Sequence, residues 1–316
     1  MSLEKSAEII LKECMAIQSG ERVLIVIDKN KKKIGDALLK KAGEITETDL
    51  VEIPVAEFNG EEPPEDAARM MMQNDVIIIA TTKSLSHTDA RRNACKAGAR
   101  IASMPGITEE IMERALSVDH KKMTEITEKI NNVIFGRKKV RIITEKGTNV
   151  NMIIDERHKF TDQGLYHKKG DWGNLPAGEA GGAPVEGSTN GMVIVDRSMA
   201  GVGKVDKPIK LTIKDGNIVK IEGGEKAEEL KKLLKDFKDE RVYNIAELGI
   251  GTNEKAKISG CILEDEKVLG TAHIGLGNNT AYGGSVDAPC HLDGIFSKPT
   301  IFIDGNKIIE KGKILL

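Results

Sequence analysis

The 316-residue chain has no dominant charge. Its 47 Lys and Arg nearly balance 49 Asp and Glu, leaving a formal net charge of -2. No sign dominates the field, which argues against a general binder of nucleic acid or of an acidic partner. The one basic run, Arg137-Lys138-Lys139-Val140-Arg141, is short and alternates into an apolar stretch, as the solvated face of a strand does. Long apolar runs are missing too. None approaches the roughly 18 residues that a membrane span needs. The opening MSLEKSAEIILKECMAIQSG is broken by Glu and Lys where a signal peptide would be continuously apolar. Cysteine is scarce: Cys14, Cys95, Cys261 and Cys290 form neither a CxxC pair nor a disulfide framework. Reduced thiols and a cytoplasmic location are therefore expected. There is no HExxH helix, which excludes a thermolysin-like site.

What is present divides into two grammars. From Glu21 to about Ser117, β-branched runs alternate with helical patterns: VLIVI, DLVEIPV, VIIIA and RIASM predict strands, and the segments between them predict helices, with Thr108 as the N-cap of the last. Such alternation implies an α/β domain whose Rossmann-like parallel sheet is covered on both faces. The first strand-to-helix turn, DKNKKK, has no glycine, so the dinucleotide fingerprint is absent. Residues 118 to 133 predict one more helix. Beyond it come alternating strands around turn signals at Lys146-Gly147, Asp215-Gly216 and Asp304-Gly305, with KISGCILED read as a further strand and one helix over 225 to 239. The second half is thus expected to be β-rich and antiparallel, barrel-like or sandwich-like. These readings place a Rossmann-like domain at 1–135 and a β-rich domain at 136–316.

Histidine is used sparingly, six in all, yet two fall in the glycine-rich window AHIGLGNNTAYGGSVDAPCHLDG with Tyr282 and Asp293. His291 and Asp293 are two apart, and on a strand such residues share a face. Nearby glycines allow unusual backbone angles and close approach. Three further segments set acids beside glycine: NLPAGEAGGAP, AELGIGTN and LEDEKVLGTAHIGLG. Together they offer Glu179, Glu247, Glu266, His273, His291 and Asp293. Mixed nitrogen and oxygen donors suit zinc, cobalt, manganese or ferrous iron. Six ligands are too many for one catalytic zinc and about right for two ions sharing a carboxylate. Cys290 alternates with His291 and reads as a structural thiol. His87 sits at the C-terminal end of the third strand, an edge that often faces a ligand in open α/β sheets, and reads first as a capping or surface residue; Trp172 precedes NLPAGE, where it could wall a pocket or pack in the core.

The ordered set NLPAGE, AELGIGTN, EDEKVLGTAHIGLG and HLDG resembles the aminopeptidase T family of metallopeptidases, and SLSHTDARRNACKAGARIASMPG is similar to its N-terminal α/β domain. The resemblance implies two divalent ions (zinc, cobalt or manganese) held by Glu179, Glu247, Glu266, His273, His291 and Asp293. It also implies Tyr282 near the reacting carbonyl, a short peptide substrate and a homodimer; a carboxylate beside the bridging water, Glu179 or Glu247, is the expected proton shuttle. The expected function is a metal-dependent aminopeptidase. The chain is shorter than typical members and carries extra residues between Glu266 and His273 and between His273 and Tyr282. Two other readings remain open. The same superfamily resembles one holding a ring-opening dioxygenase for dihydroxypyridines, which needs one ferrous ion; His273, His291 and Asp293 supply a two-His-one-carboxylate triad. A non-catalytic metal- or ligand-binding homologue is the third.

Overall fold

The computed structural model describes residues 1–134, 136, 138–155 and 160–316, with only the backbone of Phe160. Phe135, at the expected boundary, Arg137 of the basic run, and His158 lie outside them. Two compact units are seen: 1–119 with 164–177, and 120–163 with 178–316. The expected helix, at His120–Ile134, belongs to the second unit, and the strand Trp172–Asn174 to the first.

The first unit is built on a parallel sheet in the order Thr48–Ile53, Val23–Asp28, Val76–Ala80, Arg100–Ser103, Trp172–Asn174. The runs VLIVID, VIIIA and RIAS are buried along their whole length, because intervening helices cover both faces. Those helices follow the sequence signals. Asp89–Lys96 and Glu109–Ala115 begin at Thr88 and Thr108, whose side chains accept from the Arg91 and Ile111 amides. Where nucleotide-binding sheets place a glycine turn, the Asp28 carboxylate instead accepts from the Asn30 amide and the Thr82 hydroxyl.

The second unit contains two antiparallel sheets. The larger has eight strands, ordered Asn217–Glu222, Ile209–Lys214, Asn190–Val195, Asn149–Ile154, Lys138–Ile143, Thr300–Ile303, Asn306–Glu310 and Lys313–Ile314. The smaller has seven, ordered Gly203–Lys204, Ser198–Met199, His291–Ser297, Thr271–Gly277, Ile245–Gly251, Glu179–Gly182 and Phe160–Asp162. Strand alternation assigns one face of each to a shared core. Val140, Val150, Val193 and Leu211 of the larger sheet pack in one cluster with Leu248, Ile250, Ala272, Ile274 and Phe296 of the smaller. Fully burying each Val, Leu, Ile or Phe of this cluster is worth roughly 1.5–3 kcal/mol. The fold is therefore an α/β unit with a Rossmann-like parallel sheet plus a β-rich unit packed as a sandwich.

One segment departs from the β expectation. KISGCILED ends in a single helical turn, Ile262–Asp265, after a loop. The buried Asp265 carboxylate explains it: Oδ1 accepts from the Ser259 amide at 2.7 Å and Oδ2 from the Gly260 amide at 3.0 Å. Those amides are turned inward and are withdrawn from any strand ladder. The turn delivers Glu266 and Lys267 to the end of the smaller sheet.

Candidate metal centre

The smaller sheet has a second face, opposite the core, and the candidate ligands lie along it. Glu179, Glu247, His273, His291 and Asp293 come from four adjacent strands, Glu179–Gly182, Ile245–Gly251, Thr271–Gly277 and His291–Ser297. Their register sets each beside a glycine of a neighbouring strand. Glu179 pairs with Gly251, His273 with Gly249, His291 with Gly277, and Glu247 and Asp293 both with Gly275. The pairing shifts by one residue between Ile245 and Glu247. This bulge turns Glu247 onto the ligand face although Ile245 faces the core.

The sequence suggests that these glycines supply unusual backbone angles. At the two central positions their role is different. Gly249 and Gly275 have no positive φ; what counts is the missing Cβ. A Cβ on Gly249 would lie 2.1 Å from His273 Cε1 and 2.3 Å from Glu179 Oε1. One on Gly275 would lie 2.8 Å from His291 Nε2 and 2.9 Å from the Glu247 Cβ. The alternation Gly-x-Gly beside Glu-x-Gly and His-x-Gly makes the room into which the imidazoles and carboxylates fold.

The resulting donors converge in two groups that share Glu247: Glu179, Glu247 and His273, and Glu247, His291 and Asp293. His273 Nε2 lies 2.9 Å from Glu179 Oε1 and 4.0 Å from Glu247 Oε1. His291 Nε2 lies 2.9 Å from Glu247 Oε2 and 3.1 Å from Asp293 Oδ1. Donors roughly 2.1 Å from a common ion stand roughly 3 Å apart when adjacent, so these spacings fit a cation. Glu247 Oε1 is buried with no hydrogen-bond partner, as a ligand atom awaiting an ion would be. His291 Nδ1 donates to the Asn278 carbonyl at 2.7 Å, which leaves Nε2 as the ligand nitrogen.

The loop after Gly277 is pinned over this face. Glu186 Oε1 accepts from the Ser285 amide (2.8 Å) and the Asn279 side chain (3.2 Å), and Asn279 Oδ1 accepts from the Val286 amide (2.8 Å). The loop carries Tyr282, whose ring centroid lies 5.4 Å from that of His291. Glu266 is engaged by Lys267, a residue the sequence reading passed over. The buried Lys267 ammonium contacts Glu266 Oε1 at 2.9 Å, Asp162 Oδ2 at 3.2 Å, and Glu179 Oε2. The available signal was a lysine directly following three acids in LEDEK; Asp162 is brought in by its pairing with Glu179. Of the other singled-out residues, Cys290 packs toward the core. Trp172 and His87 belong to the first unit, where the Trp172 ring lies 3.7 Å from the Arg91 guanidinium carbon and 6.2 Å from the His87 ring.

Five carboxylates thus lie in one cluster with a single lysine: Asp162, Glu179 and Glu266 contact Lys267, and Glu247 and Asp293 contact His291. Such an excess of buried negative charge draws protons onto its neighbours. Burial disfavours a charged His273, yet the Glu179 carboxylate, with Asp293 and Glu247, holds its pKa up at about 10. His291 is likewise raised well above its ordinary value: burial opposes the charge, but Asp293 and Glu247 outweigh it. Burial pushes Glu266 up to about 8 despite Lys267. Burial would also raise Glu179, but Lys267 and His273 hold it well below the usual range. Burial and then the Glu247 charge keep Tyr282 a neutral phenol.

A family model described as NicX: 2,5-dihydroxypyridine 5,6-dioxygenase matches residues 6–316. The 2,5-dihydroxypyridine 5,6-dioxygenase of Pseudomonas putida KT2440 is 24% identical over 255 residues, covering 75% of this chain and 71% of that protein. The fold is shared with the solved 2,5-dihydroxypyridine dioxygenase of P. putida KT2440, with a TM-score of 0.85, 21% identity, and 99% and 96% of the two chains covered. It is also shared, at a lower TM-score of 0.70 and 16% identity, with wild-type AmpT from Thermus thermophilus, over 99% of both chains. These findings correct the expected aminopeptidase. The metallopeptidase resemblance reaches the fold, while the family matched across nearly the whole chain is that of an oxidoreductase. The hydrolase assignment, with its peptide substrate and zinc chemistry, is overturned. One fold hosts different chemistries, and the order of motifs follows the fold.

Two outcomes follow from the geometry. Gly249→Ala should fold yet lose divalent-metal affinity by about 100-fold or more, because its methyl group displaces His273 and Glu179; equilibrium dialysis that finds unchanged affinity contradicts the account. Metal loading of the apoprotein should release protons, since a ligating imidazole must give up the proton it otherwise keeps up to about pH 10. Apparent affinity should therefore climb as pH rises from neutral toward that value, and a flat calorimetric profile over this range contradicts it.

Proposed function

The chain belongs to the NicX family of 2,5-dihydroxypyridine 5,6-dioxygenases, and on that premise we propose that it is a ring-opening dioxygenase of dihydroxylated N-heteroaromatic compounds, using one ferrous ion. The observation that carries the reading is that His273, His291 and Asp293 share one face of two adjacent strands, His291 and Asp293 converging with Glu247, and His273 with Glu179 and the same Glu247. Ferrous iron in a two-His-one-carboxylate set supplies redox chemistry with open positions for substrate and dioxygen. His291 and Asp293, which converge with Glu247, would hold it, with His273 on the neighbouring strand as the second imidazole.

The other residues bind and move protons. Glu247, whose carboxyl is raised by burial, lies within reach of the same space and takes a proton from a substrate hydroxyl. Tyr282, kept protonated, donates a hydrogen bond to a substrate oxygen and orients the ring. The Glu186–Asn279–Ser285 contacts hold that phenol in place.

Iron-loaded protein should consume one dioxygen per 2,5-dihydroxypyridine, with loss of the aromatic absorbance. Asp293→Ala should lose both iron and activity. Tyr282→Phe should keep its iron and lower kcat by about 100-fold. Absence of oxygen uptake by protein shown to hold iron contradicts the proposal, and an unchanged kcat removes Tyr282 from it.

A further inference from the structure

Lys267 is fully buried, its side chain 2% exposed, and its ammonium is enclosed by carboxylates from three places in the chain: Asp162, Glu179 and Glu266. Burying an ammonium is costly unless it is closely paired and its three N–H donors are satisfied, and neutral acceptors can satisfy those that a first carboxylate leaves. Three carboxylates around one positive charge leave an excess of negative charge, the arrangement expected around a divalent ion held by oxygen ligands. Nor does the main chain need the ammonium to reach its position: the Lys267 carbonyl already accepts from the Asn253 amide at 2.8 Å, and its amide donates to the Glu264 carbonyl at 3.0 Å.

Glu179 connects this cage to the candidate metal centre. One oxygen, Oε2, faces Lys267. The other, Oε1, lies 2.9 Å from His273 Nε2. A carboxylate shared by two cation positions is the plan of a two-ion centre, and here one of the two cations is part of the chain.

We propose that the Lys267 ammonium takes the place of a second divalent ion. It confines the centre to one ion and keeps Glu179 and Glu266 engaged with itself. The inference rests on the one-ion reading above and extends it to what sets the number of ions.

The test is metal stoichiometry, measured by elemental analysis after anaerobic equilibrium dialysis of apoprotein against manganese(II), with folding checked by circular dichroism. The wild-type chain should hold one ion and Lys267→Met two, the second lost again in Lys267→Met/Glu266→Gln. If Lys267→Met does not fold without metal, Lys267→Met/Asp162→Asn, which has one carboxylate fewer to repel its neighbours, is measured in its place. It too should hold two ions. One ion in the wild type and one in the folded variant overturns the inference and leaves the proposed function standing. Two ions in the wild type also overturn it. None in the wild type overturns the metal-centre reading and the inference with it.

Discussion

A cluster of buried carboxylates cannot stand without positive charge, and the second unit is arranged around that requirement. Glu179, Glu247, Glu266, Asp293 and Asp162 meet with one lysine among them. In the absence of a divalent ion the deficit is met by protons, as the elevated pKa values of His273 and Glu266 record. An ion bound to neutral imidazoles removes the same deficit. The electrostatics of the apoprotein and its capacity for metal are two consequences of one charge imbalance.

Steric room is the second requirement, and glycine meets it. An antiparallel sheet normally fills both faces with side chains. Here the core face is filled by Leu248, Ile250, Ala272, Ile274 and Phe296, whereas the other face alternates ligands with glycines. Gly249 and Gly275 are fixed by contact distances with His273, Glu179, His291 and Glu247. A rigid sheet with ligands at fixed register is a more exacting scaffold than loops would be. The loop carrying Tyr282 is tied down by Glu186 and Asn279.

Much of this was legible in the sequence, for physical reasons. Continuous runs such as VIIIA announce strands covered on both faces, and the HxD spacing announces two donors on one face. Other features were hidden. Trp172–Asn174 is too short to read as a strand, and its partner, Arg100–Ser103, is far away in sequence. KISGCILED has strand-like alternation, but the Asp265 carboxylate recruits its backbone amides. The lysine of LEDEK is a weak signal because a lysine among acids ordinarily belongs to a solvated surface. Its burial depends on Asp162, more than a hundred residues earlier. The activity was misjudged for a related reason. The motif order resembles the aminopeptidase T family and the fold is shared with AmpT, but a fold does not fix a chemistry, and the family model that matches residues 6–316 is that of a dioxygenase.

Anomalous diffraction at the iron edge, from crystals of the iron-loaded protein, tests the central claim most directly. The account predicts a single peak roughly 2 Å from Nε2 of His273, Nε2 of His291 and a carboxylate oxygen of Asp293, with the Lys267 ammonium still between Asp162, Glu179 and Glu266. Two peaks on this face, or a single peak away from that set, would contradict it.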